Sequence, residues 1–259
     1  MTLRKADFIA GPLMTIVLLG ASGPSLADDR EWIVTPYLWG ADTSLDMLVR
    51  DDPVFSGDLD FSDLVDKLDF AFQIHVETRK DGLGFFFDGT LLETSDDIQS
   101  SAAPPLPGST TIDTGAEVTI LEAGGFYRPS GQPYGFDMML GVRSIDLDID
   151  VTLTPPSPLD ARVIDGSASL VDGFIGLRYS APLGGNWVVS LRGDVGAGDS
   201  DLTYNLSGLL GYGFGADDRY TLLFGYRHFT VEYEESDGGF PIEVDMTMSG
   251  PELGFAFRF

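Results

Sequence analysis

From Leu253 to the terminal Phe259 the chain alternates with a period of two: Leu253, Phe255, Phe257 and Phe259 share one face, and Gly254, Ala256 and Arg258 share the other. Successive side chains of a strand point to opposite sides, so this segment has one greasy face and one small or polar face. The same division recurs upstream. Phe70, Phe72, Ile74, Val76 and Thr78 oppose Asp69, Gln73, His75, Glu77 and Arg79. Leu83, Phe85, Phe87 and Leu91 oppose Gly84, Asp88 and Thr90; Phe136, Met138, Leu140 and Val142 oppose Asp137, Gly141 and Arg143. Val171, Ile175, Leu177 and Tyr179 oppose Asp172, Gly176 and Arg178, and Tyr220, Leu222, Phe224 and Tyr226 oppose Thr221, Gly225 and Arg227. A sheet whose polar face carries this many charges and whose other face is this apolar has turned the usual arrangement of a soluble protein inside out.

Segments of this kind fall at about 32–40, 69–80, 83–91, 115–128, 134–149, 167–180, 186–197, 201–214, 219–233 and 246–259. The first and fourth have ambiguous parity. Short links follow the second, fourth, sixth and eighth: Lys80-Asp81-Gly82, Pro129 to Pro133, Ala181 to Gly185 and Gly215 to Asp218. Longer ones occupy about 41–68, 95–114, 150–166 and 234–245, with Gly198 to Ser200 a short exception. The expected fold is therefore all-β, an antiparallel transmembrane β-barrel of about ten strands with short periplasmic turns and long external loops. An eight-stranded barrel is the alternative count. An exported soluble barrel with a second sheet against its greasy face is the alternative architecture. Mean hydropathy is only +0.07, but a barrel escapes that average because alternate residues alone meet lipid.

Arg4 and Lys5 precede an apolar run from Phe8 to about Leu19, and Ser25-Leu26-Ala27 offers small residues for cleavage. Residues 1–27 are thus expected to be a signal peptide and 28–259 the barrel domain. The whole chain has 15 basic and 41 acidic residues. Removing the leader takes two basic residues and one acidic one, giving a formal charge of -27. Such a chain is unsuited to nucleic acid. It contains no cysteine, which excludes disulfides and thiolate metal sites.

Pro36-Tyr37-Leu38-Trp39, Phe61-Ser62-Asp63-Leu64, Asp194-Val195-Gly196, Gly225-Tyr226-Arg227-His228 with Val231-Glu232-Tyr233, and Gly250-Pro251-Glu252-Leu253-Gly254 with Phe257-Arg258-Phe259 occur in that order. This set resembles a family of small, largely uncharacterised bacterial outer-membrane β-barrel proteins. The resemblance implies a place in the outer membrane of a Gram-negative bacterium, with outer-membrane lipids and lipopolysaccharide as surroundings. Leu253, Phe255, Phe257 and Phe259 would then be the assembly signal read by the barrel-assembly machinery. No catalytic, metal or cofactor residue comes with the resemblance.

On the inward face both signs of charge occur: His75, Arg79, Arg143, Arg178, Arg192, Arg227 and Arg258 against Glu77, Asp88, Asp137, Asp172, Asp194 and Glu252. A narrow lumen is filled by side chains, and charges there must be paired. The expected role is structural, with surface interaction as the outward-facing possibility; a porin-like, charge-lined pathway for small solutes is the alternative. The excess negative charge falls in the long links: Asp51, Asp52, Asp58, Asp60, Asp63 and Asp66; Asp146, Asp148 and Asp150; Glu232, Glu234, Glu235, Asp237, Glu243 and Asp245. A solvated acidic rim is expected, with divalent cations shared with lipopolysaccharide phosphates as the alternative. Phe61, Leu64, Val65 and Leu68 have the spacing of a two-turn amphipathic helix.

An outer-membrane lipid-modifying enzyme is the remaining alternative. With no G-x-S-x-G motif and only His75 and His228, an enzyme is not expected. His75 is expected in the lumenal network, and His228 in an interfacial girdle with Tyr226 and Tyr233.

Overall fold

A computed structural model describes residues 30–49, 52–59, 68–100, 110–154, 162–235 and 242–259. The proposed signal peptide, the helix expected over Phe61 to Leu68, and Asp51, Asp60, Asp63, Asp66 and Asp237 are therefore not covered by it, wholly or for their side chains.

Among the described residues the chain forms twelve strands in one antiparallel sheet: β1 (Glu31–Trp39), β2 (Asp42–Val49), β3 (Asp52–Leu59), β4 (Leu68–Lys80), β5 (Leu83–Ser100), β6 (Thr110–Tyr127), β7 (Gly135–Thr154), β8 (Arg162–Gly184), β9 (Trp187–Gly198), β10 (Leu202–Phe214), β11 (Tyr220–Glu235) and β12 (Ile242–Arg258). The sheet closes on itself through β1 and β12, with Val34 opposite Phe257 and Trp39 opposite Glu252. β2 continues β1 along the same edge of β12, from Asp42 opposite Ser249 to Val49 opposite Ile242. β3 and β4 lie in line on the other edge of this composite strand. The ring therefore has ten staves, and the eight-stranded count is set aside.

Turn chemistry fixes one end. Asp81 and Gly82 both have positive φ, 49° and 79°, the geometry of a two-residue hairpin whose twist matches its strands. Near the short turns, aromatic rings gather on the outside. Trp187 packs on Tyr212 and Phe224, Phe136 on Tyr179, and Phe255 on Phe214, Tyr220 and Phe257. The rings of the terminal strand are thus on the outer wall, where membrane barrels carry their aromatic girdles.

At the opposite end the strands run further than their sequence pattern suggested. A membrane strand needs about 9 to 11 residues, yet β5 and β6 have 18 each, β7 has 20 and β8 has 23. Most of 42–59, 95–100, 110–114, 150–154 and 162–166 is paired strand, where long loops were expected. The acidic excess accordingly sits partly on strands: Asp146, Asp148, Glu232, Glu243 and Asp245 are strand residues.

Through the middle of these strands the alternation keeps its register, but its polarity reverses partway up. On β7, Phe136, Met138, Leu140 and Val142 point out and Asp137 and Arg143 point in. Two residues later, Ile145 is buried inside and Asp148 is exposed outside. β5 reverses between Asp88 and Leu92, β6 between Glu122 and Ile120, β8 between Asp172 and Leu170, and β11 between Arg227 and Phe229. Leu170, Ile145 and Ile120 stand directly opposite one another, so across β6, β7 and β8 the reversal is level rather than scattered. Above it, the barrel is built like a soluble protein: apolar within, polar without.

Candidate functional site: a filled lumen beneath an acidic crown

The lower lumen is charged. Arg143, with no exposed surface, donates from Nε to Glu122 Oε1 at 2.9 Å, from Nη2 to Asp194 Oδ1 at 2.6 Å and from Nη1 to Thr203 Oγ1 at 3.1 Å. Arg192 grips the same two carboxylates from the other side, each at 2.7 Å. Arg227 donates to Asn205 Oδ1 at 2.9 Å and reaches Glu122 at 3.4 Å and Asp88 at 3.7 Å. Asp88 in turn accepts from the Tyr37 hydroxyl at 2.7 Å and lies 3.0 Å from His75 Nδ1. His75 Nε2 is 3.7 Å from Glu77. Glu77 pairs with Arg178, which also holds Asp137 at 2.8 Å. Asp137 receives a bidentate grip from Arg128 at 2.6 and 2.7 Å. These bonds run from one wall to the other, joining β4, β5, β6, β7, β8, β9, β10 and β11 into one web.

Four sequence-derived members lie outside that web. Asp172 is fully buried, but its carboxylate accepts from the Ser200 N–H at 3.0 Å and hydroxyl at 2.6 Å, so it ties down the β9–β10 link. Arg79 and Arg258 both hold Glu31, at 2.5 and 2.8 Å, at the short-turn mouth. Glu252 faces a polar cavity of about 110 Å³ together with Arg227, Arg192, His75 and Ser207.

Two apolar clusters complete the filling. Phe86, Phe126, Met139 and Phe174 pack beside the charges, and Arg143 lies 4.9 Å from the Phe174 ring and 5.0 Å from that of Phe229. Above, Trp39, Leu92, Ile120, Ile145, Leu170, Phe229, Val231, Met246 and Met248 form a dry layer. The lumenal filling thus has two parts: a belt of paired charges, and above it a layer of buried apolar strand residues that the inward charges alone did not lead one to expect. Tyr233 packs against that inner layer, not in an outer girdle.

Four participants were not legible in advance. Arg128 ends the 115–128 segment of ambiguous parity, just before the Pro129-Ser130-Gly131 turn, and its guanidinium also reaches the Pro133 carbonyl. Glu122 sits on the strand of ambiguous parity. Tyr37 and Asn205 are inward polar residues whose alternation was the available signal.

On the outer wall above the reversal, Glu93 stands opposite Glu117, Glu117 opposite Asp148, and Asp148 opposite Ser167. All four are exposed. Three carboxylates directly facing one another across strands repel. Around the wall, His228 Nδ1 lies 2.8 Å from Ser249 Oγ, and Nε2 lies 3.3 Å from the Tyr204 hydroxyl and 3.4 Å from Thr230 Oγ1. A serine does approach a histidine here, but the group on the far ring nitrogen is a hydroxyl rather than the carboxylate of a hydrolytic triad.

No family model and no curated protein matches the chain. Among solved structures it is similar to the outer membrane protease OmpT from Escherichia coli, with 12% identity, a TM-score of 0.51, and coverage of 92% of this chain and 99% of that one. It also matches the translocator domain of the autotransporter NalP from Neisseria meningitidis, at 11% identity and a TM-score of 0.45, covering 89% and 88%. Ail of Yersinia pestis matches at 13% identity and a TM-score of 0.36, covering 89% and 98%. The fold is that of the outer-membrane β-barrels.

Proposed function

We propose that this protein is an exported outer-membrane barrel of a Gram-negative bacterium that acts as a closed scaffold, presenting its acidic upper strands to the cell's surroundings. The observation that carries the reading is the lumen: Arg143 is locked between Glu122 and Asp194, beneath a layer of buried Ile120, Ile145, Leu170 and Phe229. An arginine with both arms paired and two aromatic rings packed against it has little freedom to move aside for a solute. Surface interaction is then left to the outer wall above the reversal. Catalysis is not part of the reading, because His75 faces two carboxylates without a serine among its bonds, and His228 lacks an orienting acid among its bonds.

The test is electrical. Purified protein reconstituted in planar bilayers is expected to give no unitary steps. Reproducible steps of fixed size from folded, heat-modifiable protein would overturn the closed reading. The 110 Å³ polar cavity favours a second reading, a narrow pathway gated from above. Under that reading, removing the lid with Ile145→Gly and Leu170→Gly together opens conductance.

A further inference from the structure

Among the described residues, the upper part of β8 has no neighbour on one side. β8 runs for 23 residues, whereas β9 beside it has 12, and their last pair is Asp172 with Gly198. At the point of departure Asp199 closes the edge: its N–H donates to the Val171 carbonyl at 3.2 Å, and its carboxylate accepts from the Val171 N–H at 2.9 Å. Beyond it, residues 162–170 pair with β7 alone among the described residues. A strand directs alternate residues to alternate edges. Ser169, Ser167, Asp165 and Val163 therefore offer their N–H and C=O groups on the same open side as Val171. An unpaired edge of this length is a template for another strand.

The charges beside it choose the occupant. The row Glu93, Glu117, Asp148 ends at Ser167, on the open edge itself. An incoming strand places its residue opposite Ser167 in line with these carboxylates, about two strand spacings, ~10 Å, from the strand that bears Asp148. A lysine or arginine there relieves repulsion that the bare sheet carries, whereas an acidic strand adds to it. A second copy of this chain would bring the same acidic row, which argues against self-pairing.

We infer that the β8 edge at 163–169 is a docking site for an extended cationic segment of a partner protein, which adds to the sheet as a further strand. The inference rests on the reading of this end as the solvent-facing crown. It does not depend on the lumen being closed, so a conducting barrel would leave it intact.

The experiment uses the full-length barrel folded in neutral phosphatidylcholine nanodiscs and a fluorescent decapeptide of alternating Lys and Thr, followed by anisotropy. Controls are the Glu-Thr counterpart and a Lys-Thr peptide N-methylated at alternate residues in both registers. Saturable binding of the unmodified cationic peptide is expected, weakening as salt is raised. Loss of the two edge donors in Ser167→Pro with Ser169→Pro is expected to weaken it about tenfold, with heat-modifiable mobility unchanged. Equal binding of the N-methylated peptide, equal binding of the Glu-Thr peptide, or indifference to the proline pair would each overturn the inference. So would a dimer, seen by sedimentation, that the proline pair dissociates. Should the proline protein not fold, the methylated peptide decides with the native chain.

Discussion

The lower and upper halves of β7 share one period and opposite rules. From Gly135 to Arg143 the strand keeps charge inside and exposes Met138, Leu140 and Val142, Leu140 to 66%. From Ser144 to Asp150 it buries Ile145 and turns Asp148 to the outside. Backbone geometry is common to both halves, so what differs is the medium beyond the wall. Hydrocarbon outside makes an inward charge the tolerable choice, provided each is paired; water outside makes an inward isoleucine the favourable one. The level row of Ile120, Ile145 and Leu170 thereby marks where one solvent gives way to the other.

That contrast can be broken at four places. Arg143→Ala leaves Glu122 and Asp194 buried with one cation fewer, and stability is expected to fall by about 3–5 kcal/mol, read as the urea midpoint of the heat-modifiable band. Ile145→Ala, just above the reversal, opens a cavity in a dry layer and is expected to cost about 2–4 kcal/mol; a loss under 1 kcal/mol would mean that the layer is wet. Leu140→Lys places a charge on the hydrocarbon face, expected to cost about 2–4 kcal/mol near the midplane when folding is titrated in lipid vesicles. The same substitution eight residues on, Asp148→Lys, is expected to stabilise by ~0.2–1 kcal/mol by breaking the row of like charges. Similar costs at 140 and 148 would erase the distinction between the halves.

The ring of strands was legible because lipid contact imposes a period of two with high contrast, as in Phe70 to Arg79. Contrast fails where side chains vanish. Ala123-Gly124-Gly125 has nothing to point either way, which left β6 without a face and hid Glu122. Above the reversal the pattern persists with its sign changed, so Ile145, Leu147 and Ile149 between acidic residues read as a polar approach to a loop. The lumenal charges were visible one by one as inward residues. Their pairings were not, because bonds such as Arg178 to Glu77 span 101 residues and depend on the closed circumference. Asp172 was misplaced for a related reason: its partner Ser200 lies in a link rather than on a facing wall.

Glu31 accepts from Arg79 on one neighbouring strand and from Arg258 on the other. Trp32 and Phe259 exchange backbone hydrogen bonds of 3.2 and 2.9 Å beside it. β1 also contributes Tyr37 to Asp88, and its Trp39 ring lies 4.6 Å from the Arg227 guanidinium. It therefore behaves as a keystone. While the seam stands open, Arg258 lacks Glu31 and Arg227 keeps Asn205 but lacks the Trp39 ring, and the curled sheet exposes two raw margins. Joining the most distant parts of the chain delays this step, since loop closure precedes its reward. Once it happens, the margins vanish and the polar web is completed in a single event, so the arch gains its rigidity when its final stone drops in.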